Sequence, residues 1–323
     1  MNTKLKLSFP RTAAAILVSA GLLALLLSRL ELGPALARFQ SADPLWLGLA
    51  AVFSLSVLLC RALRFASLTE AAALEVTTAA IAIQVFLNRV TPFRLGELSL
   101  PLLLKRHGAE SFSGSLVSLV FVRILDLALV VWAVALSLAV TPERNSLPAL
   151  IGASLLLAIL LGTFRRWLGA LIRLSRLVTR RLGGRLARID HAMEKLAEAS
   201  SEARRLNGRA YAMVTLTSLG IFVGQSALFG SILMAYGIQL PLLHLARGAA
   251  VALAGAAVPV AAVGTIGTQE ASWVAGFVWV GVPLEEAIVT GIAAQLITLL
   301  FSAILALPAW LYLSRRAPGL EGS

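Results

Sequence analysis

The chain has a single cysteine, Cys60, and three histidines, His107, His191 and His244, spread far apart. A disulfide within the chain is therefore excluded, and no Cys/His metal cluster is visible. Charge is also scarce: 14% of the 323 residues are Asp, Glu, Lys or Arg, against 59% hydrophobic. Charges are too few to solvate a surface and apolar residues too many for one soluble core, so composition points to a polytopic membrane protein. Acids are the rarer sign, 16 against 28 bases, for a formal net charge of +12. That balance could mark a nucleic-acid binder, yet the bases fall almost wholly in or beside short loops, where membrane topology puts them. No aromatic residue stands between Trp167 and Tyr211, where bases are densest. Stacking has no platform there, and nucleic acid is not an expected partner. The serine, cysteine and HExxH arrangements of hydrolases are missing. A membrane glycosyltransferase or ligase needs an aqueous-facing region rich in carboxylates. The expected outer loops, 28–43, 141–146 and 237–244, hold only Glu31, Asp43 and Glu143. No enzyme activity, catalytic residue, metal or cofactor is expected.

What is abundant is apolar sequence. Its runs predict an all-α integral membrane protein with six full transmembrane helices, at 12–27, 44–60, 114–140, 147–164, 211–236 and 287–313. The first run, with Lys4, Lys6 and Arg11 before it and Ala35-Leu36-Ala37 after it, imitates a signal peptide. A chain that begins at Met1 favours its retention as a span. Two segments remain, 76–104 and 245–280, each made of two apolar arms around a centre rich in proline and glycine. The arms, about fifteen residues each, are short for a span. The centres read NRVTPFRLGE and VPVAAVGTIGTQE, where Pro92, Gly96, Pro259, Gly264 and Gly267 break the helices. Non-helical backbone at membrane depth survives only where protein or water satisfies it, so both segments read as re-entrant hairpins lining a cavity.

Basic residues orient this arrangement. If each hairpin enters and leaves by one side, the cytoplasmic segments are the N-terminus, 61–64, 105–107, 165–209 and 315–316. Segment 165–209 carries twelve bases against four acids, and Leu182, Leu186, Ile189, Met193 and Leu196 recur at helical spacing. It reads as an amphipathic helix on the anionic inner leaflet. The outer loops hold only Arg29, Arg38 and Arg144. The expectation is a multi-pass protein of the cell inner membrane with both termini cytoplasmic. The first hairpin then enters from the cytoplasm and the second from outside. A shift of 173 residues lays Glu97 on Glu270 and Gly108 on Gly281, so that RLGE-x10-G meets GTQE-x10-G. Together with the opposed orientation, this predicts an inverted repeat of halves 1–164 and 210–323 within one domain.

A charge at the bilayer centre costs roughly 2.5 to 3.5 kcal/mol, so Arg94, Glu97, Arg123, Asp126 and Glu270 must be paired or wetted. Arg123 and Asp126, three apart, share one helical face. Two readings stay open: a salt-bridge network that pins the first hairpin to the following span, and a polar route through the protein. Arginine suits both, since its fork grips a carboxylate or a phosphate. Amides freed at Gly96, Gly264 and Gly267 could receive an anionic headgroup. The same glycines could equally serve close packing.

Four motifs, CRALRF from Cys60, TPFRLGE from Thr91, VRILD from Val122 and GTIGTQE from Gly264, occur in this order and spacing. They resemble the lysylphosphatidylglycerol synthase transmembrane (flippase-like) family over nearly the whole chain, most specifically in the PxRxGE and RxxD pair. The resemblance implies a lipid translocase that moves a charged phospholipid or lipid-linked sugar between leaflets. It implies headgroup-binding roles for Arg94 and Glu97 in the first hairpin, Arg123 and Asp126 in the next span, and Glu270 and Gln269 in the second hairpin. Arg61 and Arg64 join them from the CRALRF motif, and Gln295 from the last span. Members commonly carry an arginine shortly after the GE pair and another in the last span, where this chain has Ser99 to Pro101 and Gln295. The implied site is thus less basic than usual. The chain ends at Ser323 without a synthase domain, so attaching an amino acid to a lipid is expected of a separate lipid-modifying enzyme. The expected partners are the membrane and a phospholipid or lipid-linked substrate, and a homodimer is left open. Two other functions stay in view: a secondary transporter of a small solute with Asp126 or Glu270 as proton site, and a membrane subunit of a lipid-linked glycosylation or lipid-modification system.

Overall fold

The computed structural model describes residues 41–69, 73–139, 152, 208–257 and 267–316. The expected span at 12–27, all of that at 147–164 but Gly152, and nearly all of the amphipathic stretch 165–209 lie outside the described residues. Within them the structure is helical, with no strand: α1 Pro44–Ala66, α2 Leu74–Val90, a 3-10 segment Pro92–Leu98, α3 Ser99–Arg106, α4 Phe112–Ala139, α5 Gly208–Ala235, α6 Leu242–Ala257, α7 Thr268–Trp279 and α8 Leu284–Arg315.

Asp43 starts α1 by accepting a hydrogen bond from the Leu45 amide at 2.8 Å, with Pro44 at the first helical position, where its missing N–H costs nothing. The helix does not stop at Cys60. It runs on through Arg61 and Arg64 to Ala66, which corrects the expected end of this helix at Cys60. The charge of Arg64 is met by a carboxylate inside the protein, so the helix has no need to end where the arginines begin. α1 packs antiparallel to α5, from the Asp43 amide bonded to the Ala235 carbonyl at 2.9 Å to Arg64 beside Ser218. Between these, Gly220 and Gly224 let the two backbones approach against Cys60 and Val57.

The first hairpin is α2, the 3-10 segment and α3. The helix break expected around Pro92 and Gly96 takes the form of seven residues of 3-10 helix, and eight residues of α-helix follow it. Thr91 is extended (φ −90°, ψ 141°), as the residue before a proline must be, and this ends α2. The Thr91 hydroxyl donates to the Leu87 carbonyl at 2.6 Å and accepts from the Gly96 amide at 2.9 Å, which folds the tip back onto α2. Both ends of the hairpin meet the C-terminal end of α8. The Tyr312 hydroxyl donates to Glu75 at 2.9 Å, and His107 Nε2 lies 3.0 Å from the Leu313 carbonyl. Leu100, Leu104 and Ile83 form an apolar core there with Phe65 of α1 and Leu313.

The second hairpin, α6 and α7, sits at the other end of α8. Trp273 and Phe277 of α7 pack with Phe229 of α5 and Ile288 of α8 in a separate core. Here small residues set the spacing: a methyl group added at Gly276 would lie 2.5 Å from the Gly248 carbonyl oxygen. Overpacking of this kind costs about 1–3 kcal/mol. Gly276→Ala is therefore expected to lower the midpoint of thermal unfolding in detergent. Gly48→Ala, which faces open space on α1, should leave it unchanged or raise it. After each hairpin the chain turns on a left-handed glycine, Gly108 (φ 62°) and Gly281 (φ 96°), before a long helix.

Among the described residues four helices, Pro44–Ala66, Gly114–Ala135, Gly208–Ala235 and Leu284–Arg315, are long and apolar enough to cross a membrane. Their outward faces carry large apolar side chains at helical spacing, among them Leu296, Leu300, Ile304, Leu307 and Leu311 on α8. Apolar surface this continuous is tolerable in hydrocarbon and not in water.

Candidate functional site

The interior between α1, α4 and α5 is charged. Two pairs, Arg61 and Arg64 on α1 and Arg123 and Asp126 on α4, each stand three residues apart and so present themselves together on one helical face. Arg64, only 4% exposed, grips Asp126 with both ends of its fork, at 2.5 and 3.2 Å, and donates to the Ser218 hydroxyl of α5 at 3.2 Å. Arg123 reaches the same carboxylate at 3.7 Å and turns its other nitrogen to Glu97 of the 3-10 segment at 2.8 Å. A chain of alternating charge, Arg64, Asp126, Arg123 and Glu97, thus ties α1 to α4 and α4 to the hairpin tip.

These four charges cancel. Arg61 adds a fifth that makes no ion pair among the described residues. It lines a cavity of about 110 Å³ with Arg123, Asp126, Ser218, Phe222 and Gln225, within electrostatic reach of Arg64 and Arg89 as well. The cavity therefore carries an excess of positive charge held by planar guanidinium groups, the donors best matched to phosphate or carboxylate.

Not every expected residue joins this cluster. Glu270, 3% exposed, accepts from the Gly267 amide at 2.7 Å and so caps its own helix, where Gly267 supplies a left-handed turn (φ 86°). Gln269 is half-buried on α7 and Gln295 buried on α8, and neither lines the cavity. Pro92 and Arg94 fall in the 3-10 segment, with their side chains outside the described residues, as is Gly264. Ser218, Gln225 and Arg89 were not singled out by sequence. A glutamine at the centre of an apolar span and an arginine just before a helix-breaking proline were the available signals for two of them.

The fold and this cluster define an α-helical membrane protein with a charged interior between its helices. The chain belongs to the family described as Lysylphosphatidylglycerol synthase TM region, which matches residues 12–306. No curated protein and no solved structure matches the chain.

Proposed function

We propose that the protein is a lipid translocase of the inner membrane, moving a charged phospholipid or lipid-linked sugar between leaflets without making or breaking bonds. The observation that carries this reading is Arg61, which makes no ion pair among the described residues, beside the Arg64–Asp126–Arg123–Glu97 chain and facing a cavity between apolar helices. A phosphate entering hydrocarbon alone meets a prohibitive desolvation cost. Guanidinium forks at Arg61 and Arg123 offset that cost, while Asp126 and Glu97 keep the empty site from being purely cationic. The family is itself named for a lipid synthase, which is consistent with a lipid cargo. The two hairpins lie at opposite ends of α8, and their paired glycines Gly108 and Gly281 obey the 173-residue shift. Both support an inverted repeat whose halves open in turn to either side. In this reading both termini are cytoplasmic, as the basic loops indicate, and an enzyme that modifies the lipid would be a separate chain.

Purified protein in liposomes is expected to move a fluorescent short-chain phospholipid between leaflets. Arg123→Gln should slow that movement about 10- to 100-fold, the worth of a hydrogen bond to a charged group. Because Asp126 keeps Arg64 as its partner in this variant, the unfolding midpoint should fall little. A folded wild-type protein that moves no lipid would overturn the proposal.

A further inference from the structure

A second, smaller cavity of about 40 Å³ lies between α1, α2, α5 and α8. Gln225 is the residue that lines both cavities. Arg89, in the last turn of α2, lines the smaller one, and its Nη1 is buried with no hydrogen-bond partner. Glu270 of the second hairpin is within electrostatic reach, yet it is not in salt-bridge contact with Arg89, and one of its oxygens is committed to the Gly267 amide. A buried guanidinium nitrogen left without a partner is costly, and an anion that completes its fork removes the cost. Across the cavity, the Thr298 and Ser302 hydroxyls donate to the Ala294 and Leu299 carbonyls at 2.6 and 2.8 Å. Their protons are taken, so they offer lone pairs to the cavity. The lining thus suits a phosphate that also bears donor groups, hydroxyl or ammonium.

We infer that Arg89 is a second station for a phosphate-bearing headgroup, separated from the Arg61–Arg123 cavity by the side chain of Gln225. This deepens the proposed function and rests on it for the word headgroup. At about 40 Å³ the station has room for water but not for a phosphate-bearing headgroup in the present conformation. Occupancy therefore requires the divider to move. The Gln225 amide makes no hydrogen bond among the described residues, so none of these pins the divider between the two cavities.

The test counts bound lipid and measures movement in the full chain. Native mass spectrometry with dioctanoyl-phosphatidylglycerol is expected to find two tightly bound equivalents in the wild type and one in Arg89→Gln. Lipid movement should slow about 10- to 100-fold in the same variant. Should Arg89→Gln fail to fold, Arg89→Lys carries the test, since it keeps the charge facing Glu270 but loses the fork. Its second equivalent should bind about tenfold more weakly. Two equivalents and a wild-type rate in either variant would overturn the station. Inorganic phosphate, titrated in parallel, should bind far more weakly than the short-chain lipid. Equal affinity would make the station one for the free ion and overturn its assignment to a headgroup. If the wild type moves no lipid while Arg89→Gln still loses one equivalent, the station stands and the translocase reading falls.

Discussion

Asp126→Asn is expected to prevent the protein from accumulating in folded form. Arg64 is 4% exposed and spends both ends of its fork on this one carboxylate, leaving only the neutral Ser218 hydroxyl as a further partner. The variant strands a full positive charge among apolar helices. An uncompensated buried charge costs about 3–5 kcal/mol, against a total stability for most proteins of about 5–15 kcal/mol. Size-exclusion chromatography and thermal unfolding in detergent would show the loss. Replacing both partners removes the stranded charge, and an apolar pair of similar volume is commonly neutral. Arg64→Met with Asp126→Leu should therefore recover the folded peak that Asp126→Asn loses. A double variant as unstable as the single one would show that the pair is not what holds α1 to α4.

Gly96→Ala is expected to have the second-largest effect, for a steric reason. A methyl group there would lie 2.4 Å from the Asn88 amide nitrogen and 2.5 Å from the Leu87 carbonyl carbon. Those are backbone atoms in the last turn of α2 and cannot swing aside as a side chain would. The tip must lift off the helix, breaking the Thr91 bond to the Gly96 amide and drawing Glu97 away from Arg123. A cost of about 1–3 kcal/mol or more is expected from the overpacking alone, read as a lower unfolding midpoint together with slowed lipid movement. Gly114→Ala is the control. Its nearest neighbours are side-chain atoms of Glu110 and Ser111 and not backbone; Ser111 Oγ accepts from the Gly114 amide at 3.0 Å, so its midpoint should fall less than that of Gly96→Ala, by at most the worth of that cap, about 0.5–2 kcal/mol.

The sequence was legible where one side of an element faces lipid. The helices at 44–66, 112–139, 208–235 and 284–315 follow the expected spans because continuous apolar runs report burial in hydrocarbon directly. The ends were harder. Arg61 and Arg64 read as a boundary because a charge in an apolar run marks water unless its partner is known, and that partner is 62 residues away. Arg123 and Asp126 were readable as neighbours because three residues on a helix fix their proximity. The longer-range ties, to Arg64 and to Glu97, depend on how three separate elements dock. Pro92 and Gly96 announced a break in the first hairpin, but not that the tip would fold back on α2, where the Gly96 amide meets the Thr91 hydroxyl. Glu270 adds a local role that its charge alone did not announce: one of its oxygens accepts from the Gly267 amide and caps its own helix. The spacing of Gly267 and Glu270, a helix start and its third residue, was the signal for that cap.

α8 has one more consequence. Its 32 residues extend about 48 Å at 1.5 Å each, well beyond a hydrocarbon core about 30 Å thick. It either crosses aslant or stands out of the bilayer. One hairpin is bound near its first turns and the other near its last. A rod pivoting about its middle carries its two ends in opposite directions. A small change in its inclination therefore swings both hairpin cores at once, in opposite senses, much as a seesaw couples its two seats.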